Sequence, residues 1–189
     1  MLVISLIIAA VIAAADQLIK YAVVQNFTLG DVKELIHGVL SLTHIRNTGA
    51  AWSMMAGKTW FLIGMPLIII VFALGFIYKN RHGSKLGLIS MAMVLGGGIG
   101  NLIDRIRLKE VVDYIRVDFI NFPIFNFADI CVVIGAVLFC IYIICSEESE
   151  KKDKKSEQSV KVDSNDGRSE EHTSELQSPL NLVCRLLLE

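Results

Sequence analysis

The chain has 189 residues, 53% of them hydrophobic and 20% charged, with a mean hydropathy of +0.56 and a formal net charge of −1. Several runs are apolar on every face, which excludes an ordinary soluble domain and points to the bilayer as solvent. The charge is uneven: residues 1–145 hold eleven Lys/Arg against eight Asp/Glu, and residues 146–189 seven against eleven. No basic cluster is interleaved with aromatics, so nucleic acid is not an expected partner.

In chain order, the first apolar run covers 1–24, interrupted by Asp16, Gln17 and Lys20. Ala13–Ala14–Ala15 before Asp16 resembles a signal-peptide cleavage site. However, no Lys or Arg precedes the apolar core, and the run resumes at Tyr21 to a membrane-spanning length, so a retained transmembrane helix is expected. Residues 25–58 then alternate Gly, Asp and Asn with short β-prone pieces such as Leu40–Ser41–Leu42–Thr43, which predicts a small extramembrane β-rich cap. A second span is expected over 59–78, bent at Pro66. A short link with Lys79, Arg81 and Lys85 leads to a third span over 86–103, where Gly96 and Gly100 form a GxxxG pair suited to close helix contact. A polar stretch follows, and a fourth span covers 124–145. Cys131, Cys140 and Cys145 fall in that last run without metal-ligand spacing and read as small packing residues.

The fold class expected is therefore an α-helical integral membrane protein with four transmembrane helices and a small extracytoplasmic β-rich cap. The Lys/Arg clusters at 79–85 and 151–155 place both termini in the cytoplasm and the cap and the 104–122 loop outside. Residues 146–167 are nearly devoid of apolar side chains and read as a disordered cytoplasmic tail. Residues 168–189 open with Arg168–Ser169–Glu170–Glu171–His172–Thr173–Ser174, which resembles an in-frame translation of a common sequencing adaptor, and are set aside from fold and function.

Two carboxylates stand out at the margins of apolar runs, Asp113 in Val111–Val112–Asp113–Tyr114–Ile115 and Asp129 in Phe125–Asn126–Phe127–Ala128–Asp129. An antiparallel pairing of spans three and four brings the end of one beside the start of the other. Both acids then lie at one membrane boundary, with Asn126 on the helix face of Asp129. Close carboxylates of low polarity surroundings share one proton and so supply an acid and a base together. The alternative is structural: Asp113 caps a turn, and Asp129 pairs with Arg105 or another cation. Asp118, in a polar loop, serves as a contrast and reads as solvated. Asn101, Asp104 and Arg105 follow the glycine run, where they either pair locally or position substrate and acids. Asp16 and Lys20 are spaced for a helix ion pair, with Lys20 snorkelling toward head groups. Asn47 to Trp52, with Gly49, reads as a turn and an interfacial aromatic anchor. No P-loop is present, no His/Cys/Glu cluster has metal spacing, and no Ser or Cys has a nearby His. No metal or cofactor is expected.

Asp16–Gln17–Leu18–Ile19–Lys20, Asn47–Thr48–Gly49–Ala50–Ala51–Trp52–Ser53, Gly97–Gly98–Ile99–Gly100–Asn101–Leu102–Ile103–Asp104–Arg105 and the two Asp motifs above stand in the order and spacing of the lipoprotein signal peptidase (signal peptidase II) family. The resemblance covers about 1–145, with Trp52 where Phe is expected. It implies an intramembrane aspartic endopeptidase of the bacterial inner (plasma) membrane. Such an enzyme removes signal peptides from prolipoproteins, cutting before a Cys that carries a diacylglyceryl group. It further implies that Asp113 and Asp129 are the catalytic pair, that Asp16, Lys20, Asn47, Gly49, Asn101, Asp104, Arg105 and Asn126 support the site or bind substrate, and that 25–58 is the family's membrane-lying cradle. The partners are then lipid-modified prolipoproteins and membrane lipid, with the enzyme a monomer. Two rival readings predict other behaviour. A small transporter or proton-conducting protein would use the same acids as relay groups near the midplane. A non-catalytic scaffold would tolerate loss of both.

Overall fold

The computed structural model describes residues 1–49 and 58–163, with backbone alone for 59 and 148–163. The adaptor-like segment and Trp52 lie outside the described residues. Among the described residues four helices, α1 (Leu2–Asn26), α2 (Thr59–Lys79), α3 (Lys85–Leu108) and α4 (Phe127–Asp163), and three strands, β1 (Val32–Ile36), β2 (Leu40–Asn47) and β3 (Val111–Val117), follow in the order α1-β1-β2-α2-α3-β3-α4. All four helices are long and apolar enough to cross a membrane, α4 through its Phe127–Glu147 part. At about 1.5 Å per residue, the 20 to 25 residues of each span cover a hydrocarbon core of roughly 30 Å. The protein is membrane-embedded.

α3 is the hub. Buried residues make up 67% of its most apolar stretch, against 17–22% for the other three helices, and α1, α2 and α4 all pack on it. Apolar side chains gain little by leaving lipid for another helix, so such packing depends on close backbone approach and shape fit. The glycines of α3 supply that approach. A Cβ on Gly96 would lie 2.7 Å from the Ala9 carbonyl oxygen, and one on Gly100 2.5 Å from Asp16 Oδ2, so this pair seats α1. A Cβ on Gly97 would strike the Ala128 carbonyl at the head of α4, and Gly135 of α4 returns the fit against Ser90. Pro66 lies inside α2 without interrupting it. Cys131 is buried as expected of a packing residue, whereas Cys140 is exposed on the helix surface.

The cap is a three-stranded antiparallel sheet in the order β1-β2-β3. β1 and β2 form a hairpin closed by Gly38 at φ +68°. The third strand comes from the stretch between spans three and four, whose polar composition predicts a loop. That stretch divides in two. Its first part extends α3 to Leu108, because Asn101 and Asp104 find buried partners instead of water. Lys109 then ends the helix in the left-handed region at φ 61°, and the β-branched Val-Val-Asp-Tyr-Ile-Arg-Val run pairs with β2. Val23 at the end of α1 packs with Val112, Tyr114, Leu42 and Phe127, which locks the sheet to the heads of two helices. A second difference concerns the tail: α4 remains helical to Asp163 through residues expected to be disordered. Residues 146–163 contain no Gly or Pro and are rich in Glu and Lys, so nothing in them terminates the helix.

Candidate active site

The C-terminal ends of α1 and α3, the start of α4 and one face of the sheet meet around Asp113 and Asp129. β2 and β3 pair Ile45 with Asp113 and Asn47 with Val111. Asn47 is therefore the diagonal neighbour of Asp113 on the same sheet face, within reach of its carboxylate. Its Nδ2 donates to Asp113 Oδ2 at 2.9 Å, while its Oδ1 accepts the Gly49 N–H at 2.9 Å. That Asx-type turn holds the side chain.

Asp129 stands in the first turn of α4. Its Oδ2 accepts the Asn126 N–H at 3.1 Å, and the Asp129 N–H donates to Asn126 Oδ1 at 3.0 Å, a reciprocal capping box. The remaining free N–H groups of the helix head are satisfied from other elements. Tyr114 Oη accepts from Phe127 N at 3.1 Å, and Asp16 Oδ1 accepts from Ala128 N at 3.1 Å. The Asn126 amide then joins the two acids. Its Nδ2 donates to Asp113 Oδ1 at 2.7 Å and to Asn101 Oδ1 at 3.1 Å, and Asn101 Nδ2 donates to Asp129 Oδ1 at 2.7 Å. Each of the four carboxylate oxygens thus accepts one donor, all from neutral groups.

Behind this pair lies an ionic cluster. Lys20 Nζ sits 2.8 Å from Asp16 Oδ2, 2.9 Å from Asp104 Oδ2 and 2.9 Å from Asn101 Oδ1. Gln17 Nε2 donates to Asp104 Oδ1 at 2.9 Å and to the Gly100 carbonyl at 3.1 Å. The i,i+4 pairing of Asp16 and Lys20 is as expected, but the snorkelling of Lys20 is not: the residue is 3% exposed. Two carboxylates of its own bundle, held close by Gly100, outcompete head groups for the ammonium.

Burial pushes the Asp113 carboxyl up to about 6. The Asn47 hydrogen bond works against this shift, the Asp129 charge adds to it, and Asn126 and Lys20 oppose it. The Tyr114 hydroxyl is pushed up to about 12, chiefly by burial, and stays neutral. Arg105 makes no ion pair among the described residues. It is half-buried and lines, with Asn47, Asp113 and Asp129, a cavity of about 540 Å³ whose remaining wall is apolar (Phe122, Phe125, Ile130, Val133 and others). The expected alternative, an Asp129–Arg105 pair, is therefore not what holds Asp129. Asp113 likewise sits in a strand and caps no turn. Asp118 differs from expectation as well. Its side chain accepts from Ser41 Oγ and pairs with Arg116 at 3.0 Å, tying β3 to β2. Its contacts lie away from the acid pair.

The family model described as signal peptidase (SPase) II matches residues 8–145. The chain belongs to the signal peptidase II family. Proteins named lipoprotein signal peptidase are similar to it along most of their length. That of Enterococcus faecalis is 46% identical over 154 residues, 82% of this chain and 96% of the relative. That of Lactococcus lactis subsp. lactis is 43% identical over 146 residues, 77% and 97% of the two chains. A solved bacterial membrane enzyme structure superposes with a TM-score of 0.68 at 29% identity, over 89% of this chain and 94% of that one. A second gives 0.65 at 34% identity, over 74% and 91%. As a signal peptidase II, the chain is a protease of the aspartic type.

All ten residues singled out from the sequence gather in one contiguous region of this signal peptidase II structure. Asp113, Asp129, Asn47, Asn101, Asn126 and Arg105 stand around the cavity or its acids. Asp16, Lys20 and Asp104 form the ionic layer behind, and Gly49 acts through Asn47. Two further residues hold the site together without a role assigned to them from the sequence, Gln17 and Tyr114. Gln17 lay inside a quoted motif, and its polar amide in an apolar run was the available signal. Tyr114 sits between Asp113 and an apolar residue, where nothing in the sequence tells a core tyrosine from a helix cap.

Proposed function

We propose that the chain removes signal peptides from diacylglyceryl-modified lipoprotein precursors at the outer face of the bacterial plasma membrane, cutting before the lipidated Cys with Asp113 and Asp129 as the catalytic pair. The observation that carries this reading is the bridging of two carboxylates by one Asn126 at the mouth of an apolar cavity. Asp129, with donors on both oxygens and the positive end of the α4 dipole beneath it, suits the ionised base. Asp113, buried in a strand and pushed up to about 6, suits the protonated acid. Asp129 takes a proton from water as the oxygen attacks the scissile carbonyl carbon, and Asp113 gives its proton to the carbonyl oxygen, forming a gem-diol. The C–N bond then breaks. Asp129 passes its proton to the leaving nitrogen, Asp113 recovers a proton from a diol hydroxyl, and carboxylic acid and amine products leave. Arg105, at the cavity wall and without an ion-pair partner among the described residues, would position the peptide backbone.

Topology supports the placement. The sheet, the acids and the starts of α2 and α4 lie at one end of the bundle. The cationic 79–85 link, the N-terminus and the α4 extension lie at the other, so the positive-inside rule puts the termini in the cytoplasm. β1, exposed along its whole length with Val32, Leu35 and Ile36, suits a cradle resting on lipid. The enzyme works as a monomer, since one chain supplies every residue of the site. The transport reading needs acids near the midplane, whereas Asp113 sits on an extramembrane strand.

The test compares purified chain in liposomes acting on a diacylglyceryl-modified precursor and on its unmodified form. Cleavage of the first, with the lipidated Cys as the new N-terminus, is expected. Equal cleavage of both forms, or of neither, would overturn the proposal.

A further inference from the structure

Three asparagines present amide nitrogens to the two acids, and each has its orientation decided from the oxygen side. An Asn amide can face an acid with either end, and the donor on its oxygen determines which. For Asn47 and Asn126 that donor is a backbone N–H within its own turn, from Gly49 and Asp129. Asn101, in the middle of a helix, has no such turn. Its Oδ1 accepts from Lys20 Nζ at 2.9 Å and from Asn126 Nδ2 at 3.1 Å, which leaves Nδ2 for Asp129.

We propose that Lys20 is a positioning residue for the reaction: its ammonium, reaching across from α1, holds the Asn101 amide so that the NH₂ end always faces Asp129. Lysine suits this role because it has three donors and no acceptor. Two donors go to Asp16 and Asp104, and the third goes to Asn101. A cation kept only to neutralise two buried carboxylates would need no third contact in the direction of the acids. If Asn101 turned over, its carbonyl would face the Asp129 carboxylate, two acceptors with no proton between them. The two would repel, and Asp129 Oδ1 would lose the donor that holds it in place. The other charged and titratable groups around this junction are Asp113 and Tyr114 on β3 and Arg105 on α3: Asp113 accepts from Asn126 Nδ2, Tyr114 Oη accepts the Phe127 N–H, and Arg105 lines the cavity.

The inference rests on Asp129 acting as the base, and the test separates the two. Full-length enzyme in liposomes is assayed on the lipidated precursor. For Lys20→Met, kcat is expected to fall on the order of tenfold to a hundredfold, with KM within about twofold of the parent. In an Asn101→Leu background the same substitution should cost nothing further, because Lys20 then has no amide to hold. Losses that multiply in the double variant, an unchanged kcat, or a rise in KM alone would overturn the proposal. Lys20→Met leaves Asp16 and Asp104 without a cation. The pair Lys20→Met with Asp104→Asn is therefore measured against Asp104→Asn alone, with the same kcat-specific loss expected, and equal rates in the two count against positioning. If instead Asp129→Asn cleaved at the parental rate, the reading of the site would fail whatever Lys20 does.

Discussion

Two acid clusters built from the same residue type lie side by side in this molecule, and they are stabilised in different ways. Asp16 and Asp104 share the Lys20 ammonium, one cation between two carboxylates, so the layer contains a cation of its own, and all three side chains are buried. Asp113 and Asp129 receive only neutral donors, three asparagine amides and one backbone N–H. Hydrogen bonds orient these two carboxylates without neutralising them, so one can keep a proton that the other lacks. Partial charge compensation by a built-in cation marks the layer that fixes the helices, and its absence marks the layer suited to proton transfer. The two layers meet at Asn101.

Substitutions can sharpen that contrast. Asn126→Leu removes the bridge between the acids and one end of the capping box, and is expected to lower kcat on the order of a hundredfold. The accompanying loss of α4 stability, about 0.5–2 kcal/mol, would be read by thermal unfolding in detergent. Gly100→Ala attacks the compensated layer: the new Cβ would meet Asp16 Oδ2 at 2.5 Å. A loss of about 1–3 kcal/mol is expected, seen as a lower unfolding temperature with activity falling in parallel. pH probes the uncompensated layer. The protonated fraction of Asp113 falls as pH rises through about 6, so kcat/KM should decline on the alkaline side of that value. The same limb of kcat should lie at higher pH, because an apolar segment in the cavity strips water from the acid. Coincident limbs would show that substrate does not desolvate Asp113. The smallest effect belongs to Asp118→Asn, which loosens the Ser41 and Arg116 contacts at the sheet edge and should leave kcat within about twofold.

The four spans were legible because bilayer length and apolar composition leave few alternatives, and the GxxxG pair pointed to a close helix contact, whose partner, α1, only the fold reveals. β3 was missed because polar side chains in 101–121 outweighed a β-branched run whose strand character depends on pairing with β2, more than sixty residues earlier. The end of α3 was misplaced for a related reason. Asn101 and Asp104, polar residues just past the glycine run, read as the helix end until their partners on α1 are known. In the same way, Lys20 carries an ordinary snorkelling signature, and only the close approach permitted by Gly100 turns it inward. The acids themselves were visible as charges beside apolar runs, but the neutrality of the groups around them was a property of the fold.

The central claim is that Asp113 and Asp129 together cleave a lipidated precursor. Its most direct test is single-turnover cleavage by purified Asp113→Asn and Asp129→Asn, each shown by thermal unfolding to be folded. The account predicts no product above the uncatalysed background for either variant. Near-parental cleavage by either one would contradict it.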